Sequence, residues 1–265
     1  MGWYQLQFYL GVLLALPLSP LLAYLGFKTK RSVVVLPEAK EPKGITTAEK
    51  DGAPFQLLLL GESTMAGVGV TYHRDGFAGA MANLLTQQLN RPVHWQVVAK
   101  NGLTAKGVRT ELLPKIPVQR FDLILIGLGG NDTFELNTPM HWAKQNRLLI
   151  QELQQLQPTV PIVYIHLPPV GQFPAFPKLM QLFLGGLVRL HGKALDRLVG
   201  PLPGVWFCSE QIASLLLKGP AGSDFTAQEL FSDGVHPSAL TYRLWAGEVA
   251  DYLRARPKTL EVFPG

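Results

Sequence analysis

Apolar positions follow three different rhythms along this chain. Met1 to Phe27 carries no charged side chain, and Gln5 to Phe27 is 23 residues rich in Leu, Ala, Tyr and Phe. That length suffices to cross a bilayer as a helix. From Arg31 to Pro54 the apolar density falls, with Pro, Lys, Glu and Gly and few large apolar residues beyond Val33–Leu36. Such a stretch reads as a linker. From Phe55 onward, short apolar runs alternate with segments of helical period.

This last rhythm predicts strands at Phe55–Leu60, Val93–Ala99, Phe121–Ile126, Ile162–Ile165 and Val205–Phe207. It predicts helices at Phe77–Leu89, Pro139–Leu156, Pro177–Leu198 and Ser238–Arg254. Strand–helix alternation implies a parallel sheet with helices on both faces. The chain therefore divides into a membrane anchor (1–30), a linker (31–54), an α/β domain (55–256) and a C-terminal tail (257–265).

Composition refines the picture in two places. Hydrophobic residues make up 47% and charged residues 16%, so a core is assured and some apolar surface is left to meet something other than water. The net charge of +5 is mild and its basic residues are scattered without aromatic interleaving, which argues against nucleic acid. Cys208 is the only cysteine, so neither an internal disulfide nor a cysteine metal cluster can form.

The N-terminal stretch has Trp3, Tyr4 and Tyr24 near its ends and lacks the positive start of a cleavable signal peptide. It is expected to be an uncleaved single-pass anchor, the alternative being a helix buried in the core. Lys28, Lys30 and Arg31 follow at once, which places the body of the protein on the cytoplasmic side.

Four places combine chemistry with an element edge. The run Leu57–Leu60 stops at Gly61-Glu62-Ser63, which puts a hydroxyl where open α/β sheets bind ligands. Asn101-Gly102 follows the second strand, and a glycine there lets a backbone N–H approach a ligand. Gly127-Leu128-Gly129-Gly130-Asn131-Asp132 follows the third strand and offers a side-chain amide. Asp233-Gly234-Val235-His236-Pro237 precedes the last helix, its aspartate and histidine three apart. Taken singly, each is an ordinary cap or turn. Together they supply a nucleophile, a base, an orienting carboxylate and oxyanion donors, the set needed for acyl transfer through a covalent intermediate.

In their order, these blocks resemble the SGNH (GDSL-type) hydrolase family, over roughly Phe55 to Tyr252. The resemblance implies a flavodoxin-like three-layer α/β/α sandwich with a parallel sheet. It makes Ser63 the nucleophile, His236 the general base and Asp233 the group that orients the imidazole. The oxyanion hole would be the N–H of Ser63, the N–H of Gly102 and the amide of Asn131. One position departs: the family's first block usually reads Gly-Asp-Ser, and here Glu62 replaces the aspartate. Altered hydrogen bonding beside the nucleophile is expected, and the departure does not exclude activity.

Other motifs fail. Gly61-Glu62-Ser63-Thr64-Met65 lacks the last glycine of a nucleophile elbow, and Gly67-Val68-Gly69 lacks both the lysine of a phosphate loop and the third glycine of a dinucleotide fingerprint. No H-E-x-x-H or Cys/His spacing points to a metal, and no cofactor is expected. His73, His94, His141 and His191 read as solvated, His166 as a candidate pocket residue, and Asp132 as a brace for its loop. The apolar stretch Leu167 to Leu190 follows a strand end. Leu167, Pro168, Phe173, Phe176 and Met180 are its candidate substrate contacts, and the stretch suits an acyl chain, a membrane surface or plain packing on the sheet.

The expected activity is a serine esterase acting on a small-molecule or lipid ester. The alternatives are an acyl or acetyl transferase using the same groups, and a non-catalytic membrane-tethered binding protein.

Overall fold

The computed structural model describes residues 3–49, 52–209 and 225–255; the expected tail, 257–265, lies outside them. Six strands form one sheet: β1 Lys43–Ile45, β2 Phe55–Gly61, β3 Val93–Ala99, β4 Leu123–Gly127, β5 Ile162–Tyr164 and β6 Val205–Phe207. Their order is β1-β3-β2-β4-β5-β6. All neighbours run parallel except β1, which lies antiparallel on β3 at the edge. The parallel strands are nearly continuous apolar runs because both sheet faces are covered.

Side chains alternate across the sheet, so each strand feeds two cores. Leu57 and Leu59 pack with α3 (Phe77–Leu89) and α9 (Ala239–Arg254), through Phe77, Met81, Tyr242 and Trp245. Leu58 and Leu60 pack on the opposite side with α6 (Pro139–Leu156) and the C-terminal half of α7 (Lys178–Val199), through Trp142, Leu149 and Leu195. All four leucines are fully buried. Removing one such side chain to alanine typically costs about 2–5 kcal/mol. Helix starts are set locally: Thr138 accepts from the His141 N–H ahead of Pro139, and Ser238 accepts from the Thr241 N–H.

The segment expected as a linker is built into the fold. Besides β1, it donates from Ala39 N–H to Ala66 O (2.9 Å) and accepts at Pro42 O from Val97 N–H (2.7 Å). Too few apolar residues mark it because backbone hydrogen bonds, not side-chain burial, hold it in place.

The N-terminal stretch forms α1 (Trp3–Ala15), a 3-10 turn (Leu16–Leu18) and α2 (Ser19–Ser32). As one run, Trp3–Ser32 is long and apolar enough to cross a membrane. The core-helix alternative does not hold, since no residue of α1 is buried. One side of the run lies along α7: Gln7 Oε1 accepts from Lys193 Nζ (2.9 Å), the Arg197 guanidinium stands 5.8 Å from the Tyr4 ring centre, and Thr29 Oγ1 meets Met180 Sδ at 3.7 Å. The other side presents large apolar residues such as Trp3, Leu13, Leu14 and Tyr24.

Two histidines expected in solvent are buried, His73 and His191. Burial lowers the pKa of each to about 4, so both are neutral at pH 7. Their helical or polar settings suggested solvent, but tertiary packing covers both rings and gives His191 polar partners that sequence does not reveal. His191 stacks on Trp142, with Nδ1 3.2 Å from Thr133 Oγ1 and Nε2 2.7 Å from Asn137 O.

Candidate active site

The parallel strands turn in opposite directions from β2, toward β3 on one side and β4 on the other, and the crevice between their carboxyl ends is the expected ligand site. Gly61 ends β2 directly opposite Gly127 of β4. A Cβ at Gly61 would sit 2.1 Å from the Gly127 carbonyl oxygen, so only glycine lets the two strand ends close. Ser63 follows immediately, in a turn secured by Ala66 N–H to Glu62 O (2.8 Å) and Val68 N–H to Ser63 O (3.1 Å).

A cavity of about 670 Å³ opens above this crevice. Ser63, Gly102, Asn131 and His236 all line it, so the tertiary fold brings four distant blocks to one wall. Asp233 stands behind His236: its Oδ2 is 2.7 Å from Nδ1, and its Oδ1 accepts the backbone N–H groups of Val235 (2.9 Å) and His236 (2.7 Å). Burial pushes the Asp233 carboxyl up, but the His236 backbone and ring hydrogen bonds outweigh it and hold the pKa below the usual aspartate value. Asp233 is thus a fixed anion whose bond leaves Nε2 of His236 as the free ring nitrogen. No hydrogen bond joins Ser63 to His236 among the described residues. Such contacts commonly tighten only once substrate is bound.

Two backbone N–H groups face the same place. Among the described residues nothing accepts the N–H of Ser63 or of Gly102. Gly102 has φ +84° and open space around its Cα, which suits close approach by a ligand. Its neighbour Asn101 is held from the linker, its N–H donating to Glu38 Oε1 at 2.6 Å.

Glu62 is the residue whose part sequence left least defined. It is buried, and its carboxylate accepts the Gly130 N–H (2.7 Å), the Asn131 N–H (2.9 Å) and the Asn131 side-chain amide. The second hydrogen of that amide goes to Leu103 O at 3.2 Å. Burial raises the Glu62 pKa to about 7 against these donors, with the nearby Asp132 charge adding to the rise. Asp132 braces the neighbouring loops, accepting from Ala105 N–H (2.7 Å) and Asn137 Nδ2 (2.9 Å), and burial lifts its pKa to about 6.

Of the expected substrate contacts, Pro168, Phe173, Phe176 and Met180 line the cavity. Leu167 does not: it lines a separate cavity of about 420 Å³ against α7, its side chain turned toward Gly129 and Gly192. His166 is buried outside the Ser63 cavity, and burial lowers its pKa to about 4. Sequence missed Phe134 and Phe231, which join Phe173 and Phe176 in an edge-to-face aromatic cluster, and Val33–Leu36 from the linker. No periodic signal marks these, because they converge from separate loops. No group of three or more His, Cys, Asp or Glu able to hold a metal occurs among the described residues.

In fold, the chain is similar to the lipase Lip_vut3 from a goat rumen metagenome, at 20% identity and a TM-score of 0.57, covering 74% of this chain and 96% of that one. It is similar to an acetyl-xylooligosaccharide esterase from Geobacillus Stearmophilus, at 17% identity and a TM-score of 0.58, covering 77% and 94%. A lipase/acylhydrolase from Enterococcus faecalis gives 17% identity and a TM-score of 0.53, covering 76% and 96%. At these identities the likeness establishes the fold. No curated protein matches the chain in sequence. The model of the GDSL-like Lipase/Acylhydrolase family matches residues 59–244, a span that runs from the end of β2 through the Asp233–His236 loop into α9, and the chain belongs to that family.

Proposed function

We propose that this protein is a membrane-attached serine esterase that forms an acyl-enzyme on Ser63. The observation that carries the reading is that His236, held by Asp233, lines the same cavity as Ser63 and Gly102, whose backbone N–H groups have no acceptor among the described residues. Ser63 Oγ attacks the ester carbonyl while Nε2 of His236 takes its proton. The new charge on the carbonyl oxygen falls to the N–H groups of Ser63 and Gly102. The Asn131 amide joins them by releasing the longer of its two bonds, that to Leu103 O. His236 then returns the proton to the departing alkoxide, and a water activated by the same nitrogen frees the acid.

Asp233 keeps the imidazole in the tautomer this cycle needs and balances its charge when protonated. The Phe134, Phe173, Phe176 and Phe231 cluster gives the cavity an apolar side suited to an acyl chain. Membrane attachment rests on the apolar helix Trp3–Ser32, and Lys28, Lys30 and Arg31 in its last turns support a cytoplasmic catalytic domain. To cross the bilayer upright, α1 must leave Lys193 and Arg197, since charged groups are costly in hydrocarbon.

The test is hydrolysis of p-nitrophenyl esters from acetyl to palmitoyl by the full chain in detergent, with Ser63→Ala alongside. Turnover is expected in the wild type and a loss of about 10⁴-fold or more in Ser63→Ala. Equal rates in the two proteins would sink the nucleophile.

A further inference from the structure

The cavity above Ser63 is not enclosed by the α/β domain alone. Gly26, Thr29 and Lys30, from the last turns of α2, and Val33–Leu36, from the extended strap that follows, form part of its lining. The strap is pinned at both ends to parts of the site. At one end Thr29 is buried, with Oγ1 3.7 Å from Sδ of Met180, which lines the same cavity. At the other, Glu38 holds the N–H of Asn101 beside Gly102, and Ala39 donates to Ala66 in the turn after Ser63.

This strap has the wrong surface for contact with water. Val34 and Val35 are 64% and 90% exposed at the cavity, and Phe27, Tyr24 and Leu21 continue the apolar exposure along α2. Contiguous apolar surface of this kind marks contact with another apolar phase. Lys28, Lys30 and Arg31 sit between the two parts, where anionic headgroups would meet them. From Phe27, the last residue of the charge-free run, about 8 Å of helix and about 14 Å of extended chain reach Leu36. The cavity wall therefore lies within about 22 Å of the point where the charge-free run ends.

We propose that Val33–Leu36 is the acyl-chain wall of the Ser63 cavity, and that its occupant is the long acyl chain of an ester drawn from a lipid surface. The inference rests on the esterase reading and narrows it to membrane-resident acyl esters. The strap would act as a specificity element: it accepts an acyl chain on its cavity side and faces lipid on the other, so the chain need not cross water.

The test uses the full-length protein in phosphatidylcholine vesicles. Val34→Asp/Val35→Asp alters residues already exposed, which spares the fold, and Leu36→Trp adds bulk to the wall. The readout is the ratio of kcat/KM for p-nitrophenyl palmitate to that for p-nitrophenyl acetate, which is insensitive to the fraction of folded enzyme. The double variant is expected to lower that ratio at least tenfold, and Leu36→Trp to move the optimum to shorter chains. Chain-length profiles matching the wild type in both variants would overturn the proposal.

A second arm titrates the fluorescent fatty acid parinaric acid into Ser63→Ala, with and without the strap substitutions, and expects at least tenfold weaker binding with them. Weaker binding in the strap variants alongside a wild type inert toward every ester would remove the esterase reading and leave the wall. Unchanged profiles and unchanged binding in an active enzyme would remove the wall and leave the esterase.

Discussion

Asp233 and Glu62 belong to one site and are held in opposite ways. Asp233 sits on a loop before α9, hydrogen-bonded to Nδ1 of His236, with its pKa pulled below the usual value. Glu62 is buried beneath the nucleophile turn, bonded only to neutral donors of Gly130 and Asn131, with its pKa raised to about 7. Both accept three donors. What separates them is depth of burial and the neighbouring charge: desolvation dominates at Glu62 and the Asp132 charge adds to it, whereas at Asp233 the backbone and ring hydrogen bonds of His236 outweigh it. The difference assigns their work. In the proposed mechanism Asp233 responds to charge developing on His236, while Glu62 holds the loop that carries Asn131.

If that division is right, the largest effect comes from Asp233→Asn. The new amide would face Nδ1 with a donor and stabilise the wrong imidazole tautomer, so kcat on p-nitrophenyl esters should fall about 10⁴-fold with folding retained. A loss below tenfold would remove Asp233 from its role.

Glu62→Gln should cost less, about 10²–10³-fold in kcat, comparable to losing one oxyanion donor. Gln offers one acceptor oxygen and a competing NH₂, so it cannot receive the Gly130 and Asn131 groups together. Steady-state rates that match the wild type would mean that Asn131 needs no such support.

The same variant separates the two carboxyls by pH. Glu62 titrates near 4.5 when free and near 7 when folded, so the folded protein retains a proton the unfolded chain has lost in that window. Its contribution to stability is full below about pH 4.5 and is lost as pH rises through 7. Asp132 adds the same sign from 3.8 to about 6, whereas Asp233 has the opposite sign, losing its contribution as pH falls through its lowered pKa. Buried neutral His73, His166 and His191, each lowered to about 4, act with the opposite sign over the same window. The readout in thermal melts of the full chain is therefore the difference between the proteins: the slope of Tm against pH from 4.5 to 7 should be more positive in Glu62→Gln than in the wild type. An unchanged slope would place the raised pKa elsewhere.

The smallest effect is expected for Glu62→Asp, which restores the residue usual in the family's first block. The carboxylate withdraws by one methylene but remains an acceptor, so kcat should stay within about tenfold of wild type. A collapse as deep as that of Glu62→Gln would show that reach, not charge, is what Glu62 supplies.

Much of the scaffold was legible because burial writes a period into the chain. Phe77–Leu89, Val93–Ala99, Pro139–Leu156 and Val205–Phe207 stand in the structure with the bounds their patterns predict. Ser63, Gly102, Asn131 and His236 were findable because each lies at the edge of an element, where local backbone geometry already narrows what a residue can do. The substrate wall was only partly legible: Phe173 and Met180 belong to it, while Leu167 turns away.

Sequence by itself determined the strand–helix alternation, the apolar N-terminal run and the blocks of reactive residues, since all three are local properties of composition and spacing. Tertiary structure decided that the 31–54 segment is a strap and edge strand, that His73 and His191 are buried, and that Glu62 grips Asn131. Those outcomes depend on partners tens of residues away, joined by single hydrogen bonds or loop contacts that impose no repeat on the chain.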